Sequence, residues 1–186
     1  MTTALARTIS NLIQRDTVTF LKTVAETGGA LTLVEVELAP GGGNGLHYHT
    51  AFTERFAVIK GALGIQLGNE QRMLRSGESV VVPIHAVHRF FNPTTHPVRF
   101  YTEIRPGHAG FERGMRIAYG LAGDGETNRA GVPRSLLALA LVVNETNTAL
   151  VGPLAMLNPL FGLLARLARR RGVHRRLVAR YAATQQ

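Results

Sequence analysis

Between residues 17 and 105 the chain is a succession of short runs that suit β-strands and little else. "TVTFLKTV", "ALTLVEVEL", "RFAVIKG", "ALGIQLG", "ESVVVP", "HRFFN" and "PVRFYTEI" are five to nine residues long and recur about every ten residues. They are rich in β-branched and aromatic side chains, which pack well on a pleated surface. Alternation is clearest where Val98, Phe100, Thr102 and Ile104 share one face and Arg99, Tyr101 and Glu103 the other. Gly61, Gly68-Asn69 and Ser76-Gly77 supply turn signals between runs. Short strands with such turns and no helices between them imply an antiparallel sandwich or barrel.

After Pro106 the period changes. Met115, Ala118 and Tyr119 fall at helical spacing within 111–121, which stops at Gly123-Asp124-Gly125. Residues 134–143 are apolar on every side and predict a buried helix. Asn158 and Pro159 predict an N-cap and first-turn proline, and Gly172 a C-terminal stop. Between them Leu160, Leu163, Leu164 and Leu167 form a stripe opposite Arg166, Arg169, Arg170 and Arg171. A last helix carries Val173, Leu177 and Tyr181. The expected organisation is a β-barrel over 1–110 and a helical C-terminal extension over 111–186. Burying such leucines is worth roughly 1.5–3 kcal/mol each. The extension is therefore expected on the barrel's outer face, over its mouth, or in a homodimer interface.

Composition removes several classes of function. Cysteine is absent, which excludes disulfides, thiolate metal ligands and a cysteine nucleophile. The net charge of +9 invites a nucleic-acid reading, but its distribution argues against one. Residues 1–111 hold 10 Lys/Arg against 8 Asp/Glu, and residues 112–186 hold 11 against 4. Seven of those eleven arginines lie within 166–180, so the charge belongs to the tail. With little aromatic interleaving and one strongly charged helix, neither nucleic acid nor a membrane surface is an expected partner. The longest apolar run, 136–143, is far too short to span a bilayer. The first thirty residues show no signal-peptide h-region, and a soluble cytoplasmic protein is expected.

The chemistry concentrates in "GGGNGLHYHTAFTERFAVIKG", residues 41–61. Residues two apart on a strand share a face, so His47 and His49 can reach one point while Tyr48 turns away. A turn over residues 50–53 lets Glu54 return on the same face, and "GESVVVPIHAVHRFFN" supplies His88 from another strand. Three imidazoles and one carboxylate suit one divalent transition metal ion (Fe, Mn, Ni, Co, Cu or Zn) and suit Ca or Mg poorly. On an octahedral ion they leave two positions for water, oxygen or substrate. Phe56, Val58 and Phe90 share the faces of Glu54 and His88 and are expected to line an apolar chamber. His96, His108 and His174 fall in loops or on a solvated helix face.

Gly41, His47, His49, Glu54 and Gly61 match G-x5-H-x-H-x4-E-x6-G, and Gly77, Pro83, His88 and Asn92 match G-x5-P-x-G-x2-H-x3-N. The chain thereby resembles the cupin superfamily over residues 41–92. One motif position departs: His85 stands where the pattern has glycine. The resemblance implies a double-stranded β-helix, the jelly-roll barrel, with a metal held inside by His47, His49, Glu54 and His88. His85, three residues before a ligand, is a candidate acid or base, and Glu54 a ligand and candidate base.

Cupins with three histidines and a glutamate resemble oxygen-dependent, C–C-cleaving dioxygenases, metal-dependent isomerases, cyclases and lyases, and small-molecule-binding domains. The first is the leading expectation, with a small, partly apolar organic substrate. The second is the non-redox alternative and the third a non-catalytic one. The H-x-D of 2-oxoglutarate oxygenases is missing, and the sixteen residues before the first strand run are too short for a helix-turn-helix. The segment beginning "RPGHAGFERGMRIAYGLAGDGETN" resembles a group of bacterial single-cupin proteins and speaks for architecture, not chemistry.

Overall fold

The computed structural model describes residues 6–183. Ten strands precede the helical part: β1 (Thr8–Asn11), β2 (Asp16–Lys22), β3 (Thr32–Leu38), β4 (Tyr48–His49), β5 (Thr53–Lys60), β6 (Ala62–Leu67), β7 (Glu70–Arg75), β8 (Ser79–Val82), β9 (His88–Phe91) and β10 (Val98–Arg105). A single turn of helix, α1 (Val24–Thr27), interrupts them. There follow α2 (Ala109–Gly123), α3 (Leu136–Glu145), β11 (Thr148–Ala149), a 3-10 stretch (Gly152–Leu157), α4 (Asn158–Arg170) and α5 (Val173–Tyr181).

The strands pair antiparallel into a six-stranded sheet, β1-β2-β3-β10-β5-β8, and a three-stranded sheet, β7-β6-β9. Their inner faces share one core, in which Phe20, Val36, Phe56 and Phe100 of the first sheet meet Leu63, Ile65 and Phe90 of the second. This is the antiparallel core expected from the strand pattern, in the jelly-roll form that the resemblance implies. Period two carries it: on β10 Val98, Phe100, Thr102 and Ile104 are buried in alternation. Gly61 joins β5 to β6 at φ 89°, where an added Cβ would lie 3.0 Å from the Pro97 carbonyl oxygen. No other residue fits that turn without strain.

The sequence pattern missed β1, β7 and α1 for identifiable reasons. Strand β7 shows only Leu74 to the core and is otherwise polar and exposed. The strand run expected through Val24 ends at Lys22, because Thr23 and Glu26 form a capping box that starts α1.

Helix α2 is fastened to the barrel by polar contacts. Glu112 Oε1 accepts from the Val24 amide at 2.7 Å and the Thr32 hydroxyl at 2.7 Å, and the Arg116 guanidinium lies 4.2 Å over the Phe20 ring. His108 caps this helix by accepting from the Phe111 amide at 2.9 Å. Ala140, Leu141, Phe161, Ala165 and Ala168 form a second core among the helices. Gly120 lets the Tyr181 ring of α5 close on α2, since a Cβ there would meet that ring at 2.2 Å.

The expected stripe on α4 is rotated. Phe161, Ala165 and Ala168 face inward, whereas Leu160, Leu163 and Leu167 are exposed. Small alanines let α4 approach α3 closely, a fit that hydropathy alone does not anticipate. His174 also departs from the solvated face expected of it. Its Nε2 lies 3.2 Å from Glu145, a buried carboxylate that Arg113 and Arg169 also grip. Burial pushes Glu145 up, but hydrogen bonds from Arg169 and Arg113 outweigh it and hold the carboxylate below its ordinary value. No helix among the described residues is long and apolar enough to cross a membrane.

Candidate metal centre and cavity

The metal-ligand residues expected from the sequence converge. His47 and His88 face each other across an antiparallel bridge, with amide-to-carbonyl bonds of 3.0 and 2.8 Å. His49 lies one pleat further along, on β4. Glu54 comes from the inner face of β5, in phase with Phe56 and Val58. The four candidate ligand atoms lie within 4.8 Å of one another. His49, Glu54 and His88 are buried, and His47 is half-buried.

The hydrogen bonds behind the rings fix which nitrogen faces inward. Nδ1 of His47 meets the Gly45 carbonyl at 2.8 Å, that of His49 the Asn147 carbonyl at 3.0 Å, and that of His88 the Ala86 carbonyl at 2.9 Å. A carbonyl oxygen only accepts, so each Nδ1 carries the proton and each Nε2 is directed at the cluster. His47 Nε2 and His49 Nε2 stand 3.1 Å apart. Two neutral rings would then oppose lone pairs, an arrangement that a cation between them relieves. The donor set thus fits a first-row divalent ion, with carbonyl partners of the kind that orient metal-bound histidines.

The charges tell the same story. Burial, then the neighbouring His88 and His49, push His47 down to about 4, which keeps it a neutral ligand at pH 7. Burial works to raise Glu54, but the adjacent His49 and His88 imidazoles, with His88 Nε2 at 2.7 Å, prevail and hold it below the ordinary carboxylate range. Burial works to lower His88, yet its 2.7 Å contact with Glu54 Oε2 raises it. In the absence of metal that pair shares a proton, which a bound ion would replace.

His49, Glu54 and His47 open onto a cavity of about 310 Å³. Val18, Val34, Val36 and Phe90 form its barrel wall, and Phe111, Met115 and Leu150 its helical wall. The extension therefore forms one wall of the cavity onto which the site opens. Phe90 lines the chamber as expected, while Phe56 and Val58 sit in the core outside the cavity lining. His85 is not brought to the cluster. It occupies a left-handed turn at φ 67°, exposed, with its ring 6.0 Å from that of Tyr48, which faces away from the metal ligands. The position where the motif has glycine keeps glycine's backbone conformation, and that conformation carries the imidazole outward.

Two parts of the site escaped the sequence reading. Asn147, at φ 53°, accepts from His49 through its carbonyl. Its side-chain oxygen accepts from the Thr50 and Ala51 amides at 2.6 and 3.0 Å. Strand β11 extends this contact by pairing Thr148 with His49. Nothing in the local sequence signals a contact spanning 98 residues. Asp16 and Tyr119 line the same cavity, joined by a 2.6 Å bond from the Tyr119 hydroxyl to Asp16 Oδ2. Here a signal existed, since Asp16 is in phase with Val18 and Phe20, and Phe111, Met115 and Tyr119 repeat every four residues.

Residues 34–104 match the cupin domain family. No curated protein sequence matches the chain. Solved structures similar to it include KdgF from Halomonas sp., at 21% identity and TM-score 0.45, covering 50% of this chain and 81% of that one. An RmlC-like cupin from Shewanella frigidimarina is 18% identical with TM-score 0.48, covering 55% and 86%. A sugar phosphate isomerase of the cupin superfamily from Silicibacter pomeroyi is 24% identical with TM-score 0.45, covering 50% and 60%. The family match spans the strands that hold the cluster, so residues 34–104 form a cupin domain.

Proposed function

We propose that this cupin is a metal-dependent enzyme that converts a small, largely apolar organic molecule by oxygen-dependent C–C cleavage. The observation that carries the reading is the junction of a four-donor cluster with a mainly apolar cavity walled by barrel and helices. His47, His49, Glu54 and His88 would hold the ion, which supplies Lewis acidity and, where redox-active, a path for electrons. The chain's own part is to exclude water and to orient. Val34, Val36, Phe90, Phe111 and Met115 surround the substrate with hydrocarbon, which strengthens electrostatic interactions inside the cavity. Glu54, a ligand held as carboxylate, would take a proton from a substrate carbon or hydroxyl only once detached from the ion.

A second reading, a non-redox isomerase, cyclase or lyase, is favoured by Asp16. Burial raises its carboxyl to about 6, which suits proton transfer near neutral pH. The test is oxygen uptake by metal-loaded protein on a panel of β-dicarbonyls, flavonols and enols. Uptake matched to substrate loss supports cleavage, whereas turnover without oxygen selects the second reading. Binding without turnover in either condition would leave a small-molecule-binding domain. A homodimer remains part of the proposal, supported by the exposed row of Leu160, Leu163 and Leu167.

A further inference from the structure

Asp16 is a carboxylate where the barrel pattern asks for an apolar side chain. It shares the inner face of β2 with Val18 and Phe20 and is 5% exposed. Its Oδ2 is satisfied, accepting from the Tyr119 hydroxyl at 2.6 Å and the Gln14 amide at 3.1 Å. Its Oδ1 is shut off from solvent and has no partner. Leaving such an atom unpaired is costly, and leucine or valine at this inward position would have avoided that cost. The Thr102 hydroxyl is also buried and unpartnered, and it too lines the cavity.

Strand register orders these groups. Glu54 is level with Ile104 and, through it, with Thr32 of β3. Thr102 is level with Val34, and Asp16 with Leu38. Reading along β3 therefore leads from the metal cluster, past one orphan hydroxyl and the apolar Val34 and Val36, to the orphan carboxylate. Asp16 lines the cavity, and the soft torsion that carries its carboxylate would let Oδ1 turn toward a ligand there.

We propose that the Asp16–Tyr119 pair is the far recognition pole of this cavity. It takes a hydroxyl group at one end of a substrate whose other end carries the oxygens that meet the His–Glu cluster. The substrate class is thus a small bifunctional molecule: chelating oxygens, an apolar body that passes Thr102, and a terminal hydroxyl donating to Asp16 Oδ1. This rests on the metal-dependent reading of the same cavity and adds what lies opposite the metal. The raised carboxyl of Asp16 and the raised phenol of Tyr119, both produced first by burial, agree with a pair kept dry for a ligand.

The test uses two pairs of metal-chelating probes that differ by one remote hydroxyl: kaempferol with galangin, and kojic acid with allomaltol. Affinities are measured anaerobically by titration calorimetry on the metal-loaded full chain. A hydrogen bond to a charged group predicts a preference of roughly tenfold or more for the hydroxylated member of at least one pair. Replacing both partners, Asp16→Leu with Tyr119→Phe, should abolish that preference while the midpoint of thermal unfolding at pH 7 holds or rises. If that variant does not fold, Asp16→Asn, which keeps size but loses charge, should cut the preference at least threefold. A wild-type preference below twofold in both pairs overturns the proposal, as does a preference that survives the substitutions. Metal analysis of the same samples judges the metal reading separately, because Asp16 and Tyr119 are not ligands and their variants should hold as much metal as wild type.

Discussion

The cavity has two ends built in different ways. At one end four ligands stand on strands or a strand bridge, backed mostly by carbonyls two residues away in sequence, those of Gly45 and Ala86. At the other, a carboxylate from β2 meets a phenol from α2 across 103 residues of chain. The first end is set by local spacing and strand register, so any chain with that spacing and fold can repeat it. The second exists only because α2 docks on the barrel, so it can differ between chains that share the first. On the proposed reading the metal end would supply chemistry that the fold can repeat, and the helical end would supply this chain's selectivity.

The largest effect is expected from destroying the metal end. His88→Ala removes one ligand of four and should lower metal content at least a hundredfold. The circular dichroism spectrum should persist, because the strands rather than the ion supply most of the buried area. Loss of fold in parallel with loss of metal would make the site structural and erase the division between the two ends.

Removing the helices that follow α2 tests what supports the opposite end. A chain truncated after Arg134 loses α3, β11, α4 and α5 and with them the cover on Ile117 and Leu121 of α2. It should aggregate on size-exclusion chromatography, although all four ligands remain. A monodisperse, metal-loaded fragment would show that the barrel does not need its cover.

Asn147 ties the helical extension to His49, and Asn147→Ala should weaken metal binding by roughly ten- to a hundredfold, as losses around a metal's ligands commonly do. It removes the acceptor for two amides and places a β-carbon residue of poor tolerance at positive φ. Competitive metal titration reads the change, and an unaltered affinity would uncouple the extension from the ligands.

A smaller effect belongs to pH. The Asp16 carboxyl lies at about 6 in the fold against 3.8 for the free group, so between those values the folded chain binds more protons than the unfolded one. Its contribution to stability is therefore present below pH 4 and is lost as pH rises through 6, by about 2–3 kcal/mol. Asp16→Asn should remove this loss, so that the variant gains on wild type between pH 4 and 7 in urea unfolding. Parallel profiles would show that burial does not perturb this carboxyl.

The smallest effect tests the docking of α5. Gly120→Ala suits a helix by about 1 kcal/mol but places a methyl inside the Tyr181 ring. Net destabilisation, with faster hydrogen exchange confined to α5, is expected. A net gain in stability would show that Tyr181 moves aside freely.

Much of the metal end was legible in the sequence because its rules are local. His47, His49 and Glu54 lie within eight residues, and period two with one turn is enough to aim them together. His88 needed a second strand, and its place beside His47 became readable through the spacing of Gly77, Pro83 and Asn92. The strand pattern similarly determined the double-sheet core, since alternation of β-branched and aromatic residues selects a face. Punctuation placed one helix end, since Gly172 stops its segment at φ 73° as its place predicted. It did not place the other, since Asn158 is already helical and Leu157 is the N-cap of α4. Which face of α4 is buried did not follow, because leucines outrank alanines in hydropathy, whereas close helix packing selected Ala165 and Ala168. His85 illustrates the same limit, as spacing placed it near a ligand and backbone conformation turned it outward. Only the tertiary structure brought Asn147 to His49 and Tyr119 to Asp16. Periodicity encodes which way a side chain points from its own element; what it meets there depends on how separate elements dock, and that is settled by packing over the whole chain.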